Sequence, residues 1–192
     1  IIMNSFFGVL ASPNCRYFNL KIANAITHFG QMIIKLTAKQ IEKSGHKVIY
    51  MDTDSVFIET NLEKSKADTL GKKIQLEINE FYNQYIKKDY KRKSFLELEF
   101  KKQYIALMLP ALRMKDKEET AAKKRYAGLV EKEGREELEI VGLEAIRGDW
   151  TEAAGDFQRE LLLKLFKKEP IEQFIKEYVK KVNQGKINEK LI

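Results

Sequence analysis

Asp52 and Asp54 stand one residue apart, between the runs Val48-Ile49-Tyr50-Met51 and Ser55-Val56-Phe57-Ile58. Residues two apart in a strand face the same side, so extended backbone carried to the tip would project both carboxylates together. Two like charges held that close repel unless a divalent cation sits between or beside them. An Asp-x-Asp tripeptide also suits a solvated surface turn. Here β-branched and aromatic residues bring two dry strands up to both acids, which favours a hairpin mount over a solvated turn. The second chemical cluster is Lys123-Lys124-Arg125-Tyr126. Its cations suit phosphate oxygens and its tyrosine adds a flat donor beside a sugar or phosphate; a solvated charge run is the other reading.

The flanking elements can be read from period and punctuation. Asn19 is a helix N-cap, and Ile22, Ile26, Phe29, Ile33 and Leu36 form an apolar stripe that runs toward a stop at Ser44-Gly45. Ser65-Lys66-Ala67-Asp68 resembles a capping box for a helix carrying Leu70, Ile74, Ile78, Phe81 and Tyr85. Lys87 to Lys93 reads as a basic connecting loop. Phe95 to Phe100 alternates with period two, which predicts a strand, and Tyr104 to Leu109 predicts another, ended by Pro110. A polar loop over 113–122 follows. Arg125 to Val130 and Leu138 to Ile146 predict a strand pair joined around Gly134. After Trp150-Thr151 the period becomes helical: Phe157, Leu161 and Leu165 mark one helix, and Pro170 opens another. Segregated helices and a mostly antiparallel sheet define an α+β class, with the acidic hairpin packed on helices.

Composition bounds the rest. The 192 residues include 35 Lys or Arg and 28 Asp or Glu, a net charge of +7, with 44% hydrophobic residues. That is one full domain and part of a second, with enough apolar material to exclude wholesale disorder. No apolar run approaches the ~20 residues of a membrane span. Cys15 is the single cysteine, and with only His28 and His46 beside it no Cys/His zinc site can form. Any metal must be a hard cation held by carboxylates. Both histidines read as helix-surface or helix-end residues, and Cys15 as structural.

Four ordered motifs carry a family resemblance that covers essentially the whole chain. Val48 to Phe57 resembles the Tyr-x-Asp-Thr-Asp-Ser signature in the palm of family B DNA polymerases. Asn4-Ser5-Phe6-Phe7-Gly8 is similar to the end of that family's motif B. Lys123 to Gly128 resembles its Lys-Lys-x-Tyr primer-strand motif, and Gly142 to Trp150 its passage from palm to thumb. The archaeal and bacterial type II branch fits best.

The resemblance implies a residue-level map. Asp54 matches the carboxylate that ligates both Mg²⁺ ions, with Mn²⁺ a possible substitute, and Asp52 its less central neighbour. Glu99 falls where a third acidic residue stands near the metals. Asn4 and Phe7 match positions lining the nucleotide pocket, although the family usually has Tyr where this chain has Phe7. Lys123, Lys124, Arg125 and Tyr126 match the segment that holds the primer. The implied substrates are primer–template DNA and deoxynucleoside triphosphates. The implied organisation is residues 1–12 as the end of the fingers motif, 13–150 as palm, and 151–192 as the start of a helical thumb. The family's motif A aspartate and motif B lysine have no counterpart in these residues, so the chain alone is expected to be inactive, with the missing parts supplied in cis or by another chain. A noncatalytic nucleic-acid-binding or scaffolding paralogue is the alternative. A cytoplasmic, nucleoid-associated location follows from the resemblance.

Overall fold

The computed structural model describes residues 2–110 and 124–191. In chain order the elements are α1 (Ile2–Ala11), α2 (Leu20–Lys43), β1 (Lys47–Asp52), β2 (Ser55–Glu59), α3 (Lys64–Tyr90), β3 (Tyr104–Met108), β4 (Tyr126–Lys132), β5 (Arg135–Val141), α4 (Glu152–Phe166) and α5 (Ile171–Asn183). Strands β1 and β2 form one antiparallel sheet; β3, β4 and β5 form another with β4 in the middle. The class is α+β, as the sequence predicts. The chain divides into two compact units, residues 1–63 with 69–100, and residues 64–68 with 101–192.

In the first unit the caps of α2 form as expected. The Asn19 side chain accepts a hydrogen bond from the Ile22 amide, and Gly45 follows the C-cap at φ +85°. Ile41, Ile74, Ile78 and Tyr82 make the core, and Ile33, Val48, Val56, Ile58, Leu96 and Leu98 pack around them. Truncating a fully buried Ile such as Ile78 to Ala removes about 2–5 kcal/mol of such packing. The buried Thr37 and Tyr82 hydroxyls lie 2.6 Å apart and tie α2 to α3. Thr37 already donates to the Ile33 carbonyl, so Tyr82 is the donor between the two. The expected stripe of α2 is core only toward its C-terminal end: Ile22 and Ile26 are 47% exposed and Phe29 37%.

Two expectations for α3 are corrected. The capping box at Ser65 does not form, because α3 starts earlier; its N-cap is Glu63, which makes no side-chain capping bond. Lys87 and Lys88 belong to the last turn of α3 rather than to a loop. The helix ends one residue past Tyr90, where Lys91 takes a left-handed conformation at φ +54°. Basic residues there oppose the partial negative charge of the helix end.

Phe95 to Phe100 keeps its period-two burial, with Leu96, Leu98 and Phe100 inward, but it is not a strand of either sheet. Its backbone is held by side chains of α3. Asn79 accepts from the Leu98 amide at 2.7 Å and donates to the Leu98 carbonyl at 3.0 Å, and Gln75 accepts from the Phe100 amide at 2.8 Å. The Phe100 ring lies directly on Gly71, where a Cβ would overlap it. Gly71, Gln75 and Asn79 follow one another at four-residue intervals and so share one face of α3. An amide side chain offers both a donor and an acceptor, as a strand neighbour would.

In the second unit Ala127, Met108, Leu138 and Ile140 of the sheet pack on Leu162 and Phe166 of α4. The predicted strand to Ile146 stops at Val141. Gly142 turns the chain at φ +63°, and Glu144–Ile146 forms a 3₁₀ turn. Thr151 caps α4 by accepting from the Ala154 amide, where the helical period is expected to begin. Phe157, Phe174 and Tyr178 join α4 to α5, with Phe157 and Phe174 stacked at 5.5 Å. No helix among the described residues is long and apolar enough to cross a membrane.

Candidate active site

The acidic hairpin of the first unit is built from its core outward. Tyr50 is buried, and its ring meets Phe57 edge-on at 5.3 Å. A bulge at Ile49 shifts the register between the Val48–Ile58 and Tyr50–Phe57 pairs and increases the local twist. Asp52 then closes the ladder opposite Ser55. Thr53 and Asp54 form a two-residue turn, so the tip is not extended as the strand argument supposes. The two acids are related by a turn, not by strand alternation.

That turn is strained. Thr53 has φ +43°, in a region that a β-branched residue seldom occupies. The Asp54 amide donates to the Asp52 carbonyl at 2.5 Å, an i→i+2 bond about a central residue of positive φ, the geometry of the rarer form of γ-turn. Each carboxylate also has a hydroxyl neighbour: Thr53 donates to Asp52 Oδ1 and Ser55 to Asp54 Oδ1, both at 3.1 Å. Asp54 is exposed and Asp52 half-buried. The arrangement presents hard oxygen donors at the end of a stiff, core-packed ribbon. Those donors fit a divalent cation of the Mg²⁺ type. Among the described residues no three of His, Cys, Asp and Glu converge to hold a metal ion, so Asp52, Asp54 and Glu99 do not form a cage by themselves. Glu99 is exposed on the outward side of the segment clamped by Asn79. Asn4 and Phe7 both lie on α1, where Phe7 is 39% exposed.

The basic motif belongs to the second unit. Lys123 lies outside the described residues, as does the predicted loop over 113–122. Lys124 is exposed, with φ +57°, at the entry to β4. Gly142 fixes it from below, because a Cβ on that glycine would overlap the Lys124 carbonyl oxygen. Arg125 forms an ion pair with Glu144. Glu144 also accepts from Gln158 Nε2 at 3.1 Å, and Gln158 in turn accepts from the Ala145 amide at 2.6 Å. The Gln158 bond, with help from its own backbone amide and Arg125, holds the Glu144 carboxyl below the usual carboxylate range against the opposing effect of burial. Arg125 is thus engaged by the passage from β5 to α4. Tyr126 is half-buried at the start of β4, its ring 6.3 Å from that of Tyr104 in an edge-on contact.

The residue types alone do not single out Thr53, Gly142 or Tyr104. Gly142 just after an apolar strand run is the available signal for a chain reversal. Nothing in the local sequence marks Thr53 as strained.

Residues 1–191 match DNA polymerase family B. The chain is 35% identical over 194 residues to DNA polymerase II of Escherichia coli (strain K12), covering 100% of this chain and 24% of that protein. It is 31% identical over 198 residues to a DNA polymerase of Archaeoglobus fulgidus, covering 98% of this chain and 21% of that protein. With the DNA polymerase alpha catalytic subunit of Drosophila melanogaster it shares 28% identity over 176 residues, 88% of this chain and 10% of that protein. The chain belongs to DNA polymerase family B. It spans about a quarter or less of the length of these relatives.

Proposed function

We propose that this chain is part of a template-directed DNA polymerase that adds deoxynucleotides to a primer 3′ end. The observation that carries the reading is the strained turn at Thr53, which sets two carboxylates at the tip of a core-packed hairpin. Non-glycine backbone in the left-handed region is retained where the surroundings over-determine it, and such strain clusters at functional sites. In a family B polymerase those carboxylates have an assigned use, so the strain has a purpose.

Asp54 would ligate both divalent ions, Mg²⁺ or Mn²⁺, and Asp52 would stand beside them, with Glu99 a third acid nearby. Such ions, when bound, would supply activation of the attacking hydroxyl and charge stabilisation at the leaving pyrophosphate. The chain's own residues provide the mount. Core packing of Tyr50 and Phe57 keeps the tip stiff, and the Thr53 and Ser55 hydroxyls orient one oxygen of each acid. Asn4 and Phe7 would line the nucleotide pocket; Phe7 supplies a ring but no hydroxyl. Lys123, Lys124 and Tyr126 would hold the primer through phosphate and sugar, as befits an enzyme that accepts every sequence. Arg125 would join them in holding the primer, its guanidinium also paired with Glu144. Residues 13–150 would be palm, residues 1–12 the end of the fingers motif, and 151–192 the start of a thumb, in a protein that works on DNA in the cytoplasm at the nucleoid.

Substitution in the complete polymerase tests the assignment. Asp54→Ala should reduce kcat far more than Asp52→Ala, each tenfold corresponding to roughly 1.4 kcal/mol of lost transition-state stabilisation. Equal losses, or a milder effect at Asp54, would contradict these roles. The isolated chain is expected not to extend a primer with Mg²⁺ or Mn²⁺. Extension abolished by Asp54→Ala would refute that.

A further inference from the structure

A chain of side chains in the second unit ties the primer segment to α4. Two consecutive residues of that helix take both backbone polar groups of Ala145, in the 3₁₀ turn between β5 and α4. Gln158 Oε1 accepts from the Ala145 amide at 2.6 Å, and the Arg159 guanidinium donates to the Ala145 carbonyl at 2.6 Å. Ala145 is buried, so leaving either group unmet would be costly. The turn is thereby held to the helix.

The Ala145 bond also decides how the Gln158 amide is turned. A backbone N–H can only donate, so the oxygen of Gln158 faces it and the nitrogen is left for Glu144. Gln158 Nε2 donates to Glu144 Oε2 at 3.1 Å, and Glu144 Oε1 accepts from Arg125. The two oxygens of one carboxylate are thus divided between α4 and the entry to β4. Arg125 is an exposed, rotamer-rich side chain, and ordering it before binding removes a cost that the complex would otherwise carry. A guanidinium has five N–H donors in a fixed fork, so its bond to Glu144 does not exhaust it, and a phosphate can be met by the rest of the fork.

We propose that Gln158 is a positioning residue for the primer segment: by fixing Glu144, it sets the Arg125 guanidinium for a primer phosphate. The inference rests on the reading of Arg125 as a primer contact. Two plainer accounts forecast otherwise. A merely structural Gln158 would hold the turn and leave the DNA contacts unaltered. A Glu144 that acted only by its charge would repel phosphate, so its removal would tighten binding.

Fluorescence anisotropy of labelled primer–template with the complete polymerase, across a salt series, separates these accounts; thermal melting verifies the fold of each variant. Gln158→Met keeps the length and charge of the side chain and removes its hydrogen bonds. It should weaken binding about fivefold, the worth of one side chain ordered beforehand. It should also lower the slope of log affinity against log salt by up to about 0.9, one phosphate contact, which a neutral substitution cannot do through net charge. In the Arg125→Ala background the same change should have no further effect. Glu144→Gln is the second route. An amide has one oxygen where the carboxylate has two, so it cannot accept from Gln158 and Arg125 in the same geometry, and binding should weaken although a negative charge is lost. Glu139→Gln is the matched control. Glu139 pairs with Lys102 and accepts from Tyr104 Oη at 2.8 Å, a bond that Gln can keep, and this variant should bind at least as tightly as the parent. Parent-like affinity and slope in Gln158→Met overturn the inference, as do losses that multiply with Arg125→Ala, tighter binding in Glu144→Gln, or equal weakening in Glu139→Gln. If Arg125→Ala itself leaves affinity and slope unchanged, the primer-contact reading of Arg125 falls and the inference falls with it.

Discussion

Gly142 supports the backbone carbonyl of Lys124 so closely that residue 142 has no room for a Cβ. Both residues have positive φ, +63° and +57°, and they flank the Tyr126–Val141 pair that closes β4 on β5. Gly142→Ala should therefore cost more than the roughly 1–2 kcal/mol of a left-handed alanine, because the Lys124 backbone must also move. Gly134 is the control: it has φ +77°, but nothing lies within 4 Å of its would-be Cβ. Urea unfolding should rank Gly142→Ala as clearly less stable than Gly134→Ala. Equal costs would mean that the close approach is unimportant.

Asn79 and Leu98 make the second testable pair. Asn79→Ala removes a donor and an acceptor from one residue's backbone, for a loss of about 2 kcal/mol at ~1 kcal/mol per bond. Amide exchange at Leu98 should accelerate, and Asn79→Asp, which keeps the acceptor but sets a second acceptor against the Leu98 carbonyl, should not restore stability. Unchanged exchange in Asn79→Ala would show that apolar burial of Leu96 and Leu98 alone holds the segment.

These two pairs lie beyond what the sequence makes legible. Period and punctuation locate α2, the β1–β2 hairpin, the β4–β5 pair and α4, because each carries its own signal: Asn19 and Gly45, the Asp-rich tip, Gly134, and Thr151. The alternation of Phe95 to Phe100 correctly gives one dry face but does not tell which groups take its backbone hydrogen bonds. A helix amide does what a strand neighbour would, and only the line Gly71, Gln75, Asn79 hints at it. The acids Asp52 and Asp54 are legible as chemistry. Their geometry is not, since the positive φ of Thr53 follows from how the bulged ribbon closes and no local residue preference demands it. The seat of Tyr104 escapes for a related reason: it depends on a strand register that places the ring over Gly128, 24 residues away.

Acid should weaken the second unit through Glu139 and Glu144. Both carboxyls titrate below their ordinary range when folded. Their contribution is therefore complete above the unfolded value of about 4.3 and is lost as pH falls through the lower folded values. The urea midpoint should decline below about pH 4.3, and Glu139→Gln should flatten that decline while lowering stability at neutral pH. A variant whose acid profile parallels the parent's would show that the Lys102 and Tyr104 bonds do not stabilise the charged form.

DNA binding should distinguish a local primer site from a diffuse basic surface. Contacts to phosphate release counterions, so log affinity falls with log salt by about 0.9 for each phosphate neutralised. The chain's +7 charge gives some salt dependence by itself, and the slope of the parent alone decides nothing. The informative comparison is Lys123→Ala with Lys124→Ala against Lys87→Ala with Lys88→Ala. The second pair sits on exposed helix at the end of α3, where alanine is well accommodated. Each pair removes two charges, so a global field predicts equal losses. A primer site at the entry to β4 predicts that the first pair loses more affinity and lowers the salt slope by up to about two. Fluorescence anisotropy on primer–template duplex across a salt series in the complete polymerase reads both quantities. Matching behaviour of the two double variants would remove the primer-strand role of Lys123 and Lys124 and leave the chain's basicity as a property of its whole surface.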